Sequence, residues 1–119
     1  MVLVDTSVWV AHLRKNESRL YHLLEEGAVS VHPFIVGELA CGNLKNRKAI
    51  FQYLSYLPKA KQAQEEEMLG FLEVHELYGR GLAYIDVHLL ISAILSHTPL
   101  WTFDKELQML ARQFKISYL

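Results

Sequence analysis

Cysteine occurs once, at Cys41. A single thiol excludes an internal disulfide, and with no CxxC partner it excludes a cysteine-built zinc site. Cys41 is expected to pack as a small apolar residue. Proline is scarce, at three residues, and no Pro- or Gly-rich linker, repeat or low-complexity tract divides the chain. An excess of charge of one sign is also missing: twelve Lys and Arg against thirteen Asp and Glu leave a net charge of −1. A dedicated DNA-binding domain is usually more basic. An enzyme that touches nucleic acid only briefly need not be. The longest apolar run, from Val87 to Leu95, is broken by His88 and Ser92 and is too short to span a bilayer. The opening M-V-L-V-D has no basic region and no small-residue cleavage site, so it does not read as a signal peptide. A cytoplasmic protein with no membrane partner is the expectation.

What is present is material for a core. The chain has 119 residues, the size of one domain, and 51% of them are hydrophobic. Met1 to Val4 is a short apolar run ending at Asp5, suited to a strand buried on both faces. Thr6-Ser7 supplies helix-start chemistry, and Val8, Trp9, His12 and Leu13 form a helical stripe. A second helix runs from about Glu17 to Glu26 and stops at Gly27. Ala28 to His32 reads as a strand. Pro33 opens a helix through about Cys41, with Gly42-Asn43 as its stop. Lys45 to Leu57 and Ala63 to Tyr78 read as helices, and Gly79-Arg80-Gly81 as a turn. Ile85 to Ser96 is a nearly all-apolar, hence buried, helix. Leu100 to Phe103 is a third strand, Lys105 to Phe114 a helix, and Ile116 to Leu119 a last strand. Strands alternating with helices predict an α/β fold with a central parallel sheet flanked by helices. Ligands bind such sheets at the carboxyl ends of the strands.

Aspartate is the scarce residue that carries chemistry. There are only three, Asp5, Asp86 and Asp104, against ten glutamates. Each closes an apolar run: V-L-V-D, L-A-Y-I-D and L-W-T-F-D. Aspartate is a poor strand and helix former, so these are placed residues. Glu38 is a fourth candidate, lying mid-helix in the otherwise uncharged F-I-V-G-E-L-A-C-G. Gly37 beside it costs the helix about 1 kcal/mol, which suggests a reason for its presence. Asp5 and Asp104 fall at the carboxyl end of the sheet, and carboxylates gathered in one pocket repel, each pair by roughly 4 kcal/mol at ~4 Å and an effective dielectric of ~20. Shared protons or a cation relieve that repulsion. Oxygen-only ligands favour Mg2+ or Mn2+ over zinc. Such an ion lowers the pKa of a bound water and neutralises charge on a phosphoryl oxygen, so phosphodiester hydrolysis suits this set best.

Plainer roles compete at each position. Each aspartate taken singly is a natural helix cap, and Glu38 alone could belong to an exposed face. Thr102 could orient Asp104 or be an ordinary strand threonine. Thr6 and Ser7 could cap a helix or support the acids. Lys45, Arg47 and Lys48 form the one tight basic cluster, either a solvated helix end or an RNA-backbone contact. Glu65-Glu66-Glu67 reads as a helix start or solvated face. The histidines show no metal-ligand spacing and are expected at surface or partly buried positions. Trp9 and Trp101 are expected in the core.

The segments V-L-V-D-T-S-V-W, the lone Glu38 after the second strand, G-L-A-Y-I-D-V-H-L-L-I-S-A and L-W-T-F-D-K-E-L together resemble a PIN domain, over essentially the whole chain. The single-domain length is similar to that of VapC-type toxins of bacterial toxin–antitoxin pairs. The resemblance implies a PIN-like three-layer fold and a magnesium-dependent ribonuclease. Asp5, Glu38, Asp86 and Asp104 match the family's acidic positions, where they would hold the metal and its water. Thr6 and Thr102 match its hydroxyl positions. Ser7 stands where asparagine is frequent. Lys105 becomes a candidate phosphate contact. The resemblance also implies an RNA substrate, a homodimer and a VapB-type antitoxin. Two other readings stay open. One is a non-catalytic binding module on the same fold. The other is an aspartyl-phosphate phosphatase of the haloacid dehalogenase kind, which also resembles V-L-V-D but wants a second Asp where Ser7 stands.

Overall fold

The structure, a computed structural model, describes residues 1–119. Three short strands, β1 (Val2–Val4), β2 (Val29–Ser30) and β3 (Leu100–Trp101), form one parallel sheet in the order β2-β1-β3. Leu3 sits in register with Ser30 on one side and Leu100 on the other. Every residue of the three strands is buried. That is why β1 and β3 read as unbroken apolar runs rather than as alternating patterns. Seven helices complete the chain: α1 (Thr6–Lys15), α2 (Ser18–Glu25), α3 (Pro33–Ala40), α4 (Arg47–Ser55), α5 (Glu65–Val74), α6 (Tyr84–Ser96) and α7 (Lys105–Gln113). The fold is the expected α/β sheet with helical cover.

The core is a cluster of 21 buried residues that draws on all three strands, Val8 and Trp9 of α1 and Leu107 and Leu110 of α7. Its central helix is α6, buried from Val87 through Ala93 as the all-round apolar pattern requires. Trp9 and Trp101 are both core residues.

Several boundaries are corrected. The second strand is confined to Val29–Ser30, with Val31 making only a bridge to Lys59. The third stops at Trp101, because Thr102 and Phe103 turn their polar groups onto the site described below. Ile116 to Leu119 is not a full strand: Ser117 makes a single parallel bridge to Leu100. The helix expected from Ala63 begins at Glu65, where the Glu67 carboxylate accepts from the Gln64 backbone N–H at 3.0 Å. It ends at Val74, before Glu76 takes a left-handed φ of 52°. Cys41 is exposed, not packed. It caps α3 beyond the buried stripe of Ile35 and Leu39. His32 and His88 are buried outright, contrary to expectation, one at the end of β2 and the other inside α6.

Candidate active site

Parallel pairing aims the carboxyl ends of β1, β2 and β3 at one edge. Asp5 follows β1 directly, and its backbone N–H donates to the Trp101 carbonyl at 2.9 Å. It occupies the cap position of α1, yet its side chain caps nothing. Instead the buried carboxylate receives two hydroxyls on Oδ2, from Ser7 at 2.8 Å and Thr102 at 2.7 Å. Each hydroxyl has one proton to give. Both protons go to Asp5, so the 3.4 Å approach between Ser7 and Thr102 is a packing contact. The same two oxygens accept in turn. Ser7 takes the Phe103 N–H and Thr102 the Asp104 N–H, each at 3.0 Å. The start of α1 is thereby laced to the loop after β3.

The other acids are held by equally local means. Thr6 Oγ1 donates to Glu38 Oε1 at 2.6 Å, tying α1 to α3. Asp104 caps α7, its Oδ1 accepting from the Leu107 N–H at 2.9 Å. Asp86 lies in the first turn of α6, its Oδ2 accepting from the Ala83 N–H at 3.3 Å. Each carboxylate thus spends one oxygen on the protein and leaves the other without a protein donor. The four share one electrostatic neighbourhood. The Asp86 pKa is raised above its ordinary value, first by burial and then by repulsion from Asp5, Asp104 and Glu38, against the opposing Ala83 N–H bond. No three acidic, His or Cys side chains close to coordination distance of one point. Mutual repulsion favours that wider spacing. Four free carboxylate oxygens with no nitrogen or sulfur donor among them fit a hard divalent cation such as Mg2+ or Mn2+.

Thr6 and Ser7 each donate to an acid, Glu38 and Asp5, while Thr102, expected to orient the Asp104 carboxylate, donates to Asp5 instead. The basic residues divide. The Arg47 guanidinium closes the turn after α3, donating to the carbonyls of Gly42 at 3.0 Å and Ala40 at 2.5 Å, and lies 5.1 Å over the Phe51 ring. That is structural work. Lys45, Lys48 and Lys105 are exposed and pair with no acid; the one ion pair in the chain joins Arg80 to Glu106. Lys105 is the first residue of α7, where a cation opposes the helix dipole.

Sequence reasoning missed the aromatic group beneath the site. His32 caps α3 through Nδ1, accepting from the Phe34 N–H at 3.0 Å. Its Nε2 has no partner, nor does either nitrogen of His88. His88 lies 4.9 Å from the Phe34 ring and 4.6 Å from the Tyr84 ring. Burial, and secondarily His88, lower the His32 pKa to about 4. The signal was present: a histidine inside the uninterrupted apolar face of α6, and another closing a buried strand before Pro33.

Three comparisons bear on this arrangement. Residues 2–113 match the PIN domain family model. Ribonuclease VapC32 from two strains of Mycobacterium tuberculosis is 39% identical over 109 residues, which are 91% of this chain and 88% of the relative. The crystal structure of PAE2754 from Pyrobaculum aerophilum superposes with a TM-score of 0.58 at 18% identity, covering 91% of this chain and 77% of the other, a likeness of fold. With the family match spanning the sheet, all four acids and their hydroxyl partners, the chain belongs to the PIN domain family.

Proposed function

We propose that this protein is a divalent-metal-dependent endoribonuclease of the VapC kind. The observation that carries the reading is the set of four carboxylates, Asp5, Glu38, Asp86 and Asp104, each anchored by one oxygen and free at the other. The 39% identity to a ribonuclease over nearly the whole chain supports RNA as the substrate. A bound Mg2+ or Mn2+ would supply an acidified water and charge neutralisation at the phosphoryl oxygen. Asp5, buried and fixed by Ser7 and Thr102, would be the central ligand. Glu38 and Asp104 would contribute their free oxygens from α3 and the start of α7. Asp86, whose carboxylate is the one made reluctant to ionise, is suited to accept and release a proton near the attacking water. Lys105 would meet a phosphate next to the cleaved bond, a role that offsets its unfavourable place at a helix start.

The same reading includes a VapB-type antitoxin and a homodimer. A groove of about 310 Å3 between α1, α2 and α4, lined by Trp9, Leu13, Leu24, Ile50, Tyr53 and Leu54, suits an amphipathic segment. The phosphatase alternative loses support because Ser7, where a second aspartate is needed, is committed to Asp5. The test is cleavage of single-stranded RNA by purified protein, with magnesium or with EDTA, beside Asp5→Asn. The variant should fold and not cleave. Full activity of Asp5→Asn in magnesium would sink the proposal, and wild-type protein that binds RNA without cutting it would leave the binding-module reading.

A further inference from the structure

Packing within this chain does not require a glycine at position 37, and the same holds for Gly70 in α5. Gly37 lies inside α3 with ordinary helical geometry, and a Cβ built there meets no atom within 4 Å. The helix forgoes stability at that position for no internal gain. Gly37 is exposed and floors an open groove of about 430 Å3 whose walls include Phe34 of α3 and Tyr84 of α6. Glu38 lines the same groove, so it adjoins one of the four acids. Tyr84 is 51% exposed, a large aromatic surface two residues from Asp86. The Phe34 and Tyr84 rings lie 6.2 Å apart at 31°. Both rest on the buried His88 ring, which limits their freedom.

We propose that this groove holds a nucleobase flanking the cleaved phosphodiester, lying over Gly37 against Phe34 and Tyr84. The inference rests on the ribonuclease reading above and adds a subsite to it. Three features favour a base over other occupants. The lining carries two aromatic rings beside Pro33, Cys41 and Ile85, and any base can stack on an aromatic ring. The floor lacks a side chain where a planar group must come close. The groove shares Glu38 with the proposed site of hydrolysis, which puts it within reach of a nucleotide next to the cleaved bond.

The experiment measures kcat and KM on a short RNA whose cleavage position has been mapped. Two further oligonucleotides lack the base on one side or the other of that bond. Wild-type protein should lose roughly tenfold in kcat/KM, mainly through KM, on one of the two abasic substrates. Tyr84→Ala should show a similar loss on the intact RNA and no further loss on that abasic one. Tyr84→Phe should retain the wild-type pattern. Gly37→Leu should raise the thermal midpoint, because leucine is the better helix former, yet raise KM. Independent, additive losses from base removal and Tyr84→Ala would overturn the subsite while leaving the nuclease intact. So would a change of oligomeric state in Gly37→Leu with base dependence unaltered, which would make the groove a contact between copies. Wild-type protein that cleaves no RNA would overturn both readings.

Discussion

Thr102 is the joint between the two ends of the chain, and Thr102→Val removes its hydroxyl with little change of shape. The side chain is 1% exposed, so water cannot replace what is lost. Two hydrogen bonds disappear: the 2.7 Å bond to Asp5 Oδ2 and the 3.0 Å bond from the Asp104 N–H. The first goes to a carboxylate, in a class worth about 1.5–3 kcal/mol. The second leaves a part-buried N–H without a partner, at about 1–3 kcal/mol. Ser7 still serves Asp5, so the losses do not sum in full. We expect about 2–4 kcal/mol of destabilisation, a large share of the ~5–15 kcal/mol typical of a domain. Urea unfolding at neutral pH would show a lower midpoint with an unchanged slope. Thr102→Ser keeps the hydroxyl and should recover most of the loss. A Thr102→Val protein within about 0.5 kcal/mol of wild type would refute the account of how the site is held.

Asp86 is the acid whose ionised form the fold disfavours. Its raised pKa makes the charge destabilising at neutral pH, a penalty that fades as pH falls and both states become protonated. In EDTA, Asp86→Asn should therefore melt above wild type at pH 7, with the gain vanishing in acid, and millimolar magnesium should narrow the gap by stabilising wild type alone. No gain at pH 7 would count against the shared field of the four acids. His32 titrates with the opposite sign. Its pKa falls from 6.5 to about 4 on folding, so its contribution is complete above the higher value and is lost as pH drops toward the lower. His32→Asn keeps a capping acceptor for the Phe34 N–H and should flatten the melting temperature across that window. An unchanged acid limb would place the sensitivity elsewhere.

Much of this was legible in the chain. Asp5, Asp86 and Asp104 stand out because aspartate ends apolar runs so rarely without cause, and Glu38 because its helix carries no other charge. Period and punctuation located every helix. Strand lengths were overread, since an apolar run does not reveal where the backbone turns aside: Thr102 and Phe103 leave the sheet to serve Ser7 and Asp5. The Thr102 role was attached to the wrong aspartate for the same reason. Neighbours in sequence suggested Asp104, whose N–H it does receive, while its proton goes to a residue 97 positions away. The buried histidines were misjudged because their partners are aromatic faces, which leave no mark in ligand spacing. Arg47 is indistinguishable from Lys45 and Lys48 in the sequence because the carbonyls it satisfies belong to the backbone.

β1 lies in the middle of the sheet, and β3, one of its two neighbours, is made after the other two strands. At synthesis rates of ~5–20 residues per second, Asp5 and Glu38 exist for several seconds before residues 100–104 are joined to the chain. Until then β1 has an open edge, Asp5 lacks the Thr102 hydroxyl, and the Asp104 carboxylate does not exist. A chain interrupted before Leu100 therefore lacks the strand that covers one edge of β1, the hydroxyl that fixes Asp5 and one of the four acids. The topology makes completion of the site depend on the arrival of β3 and the loop that follows it.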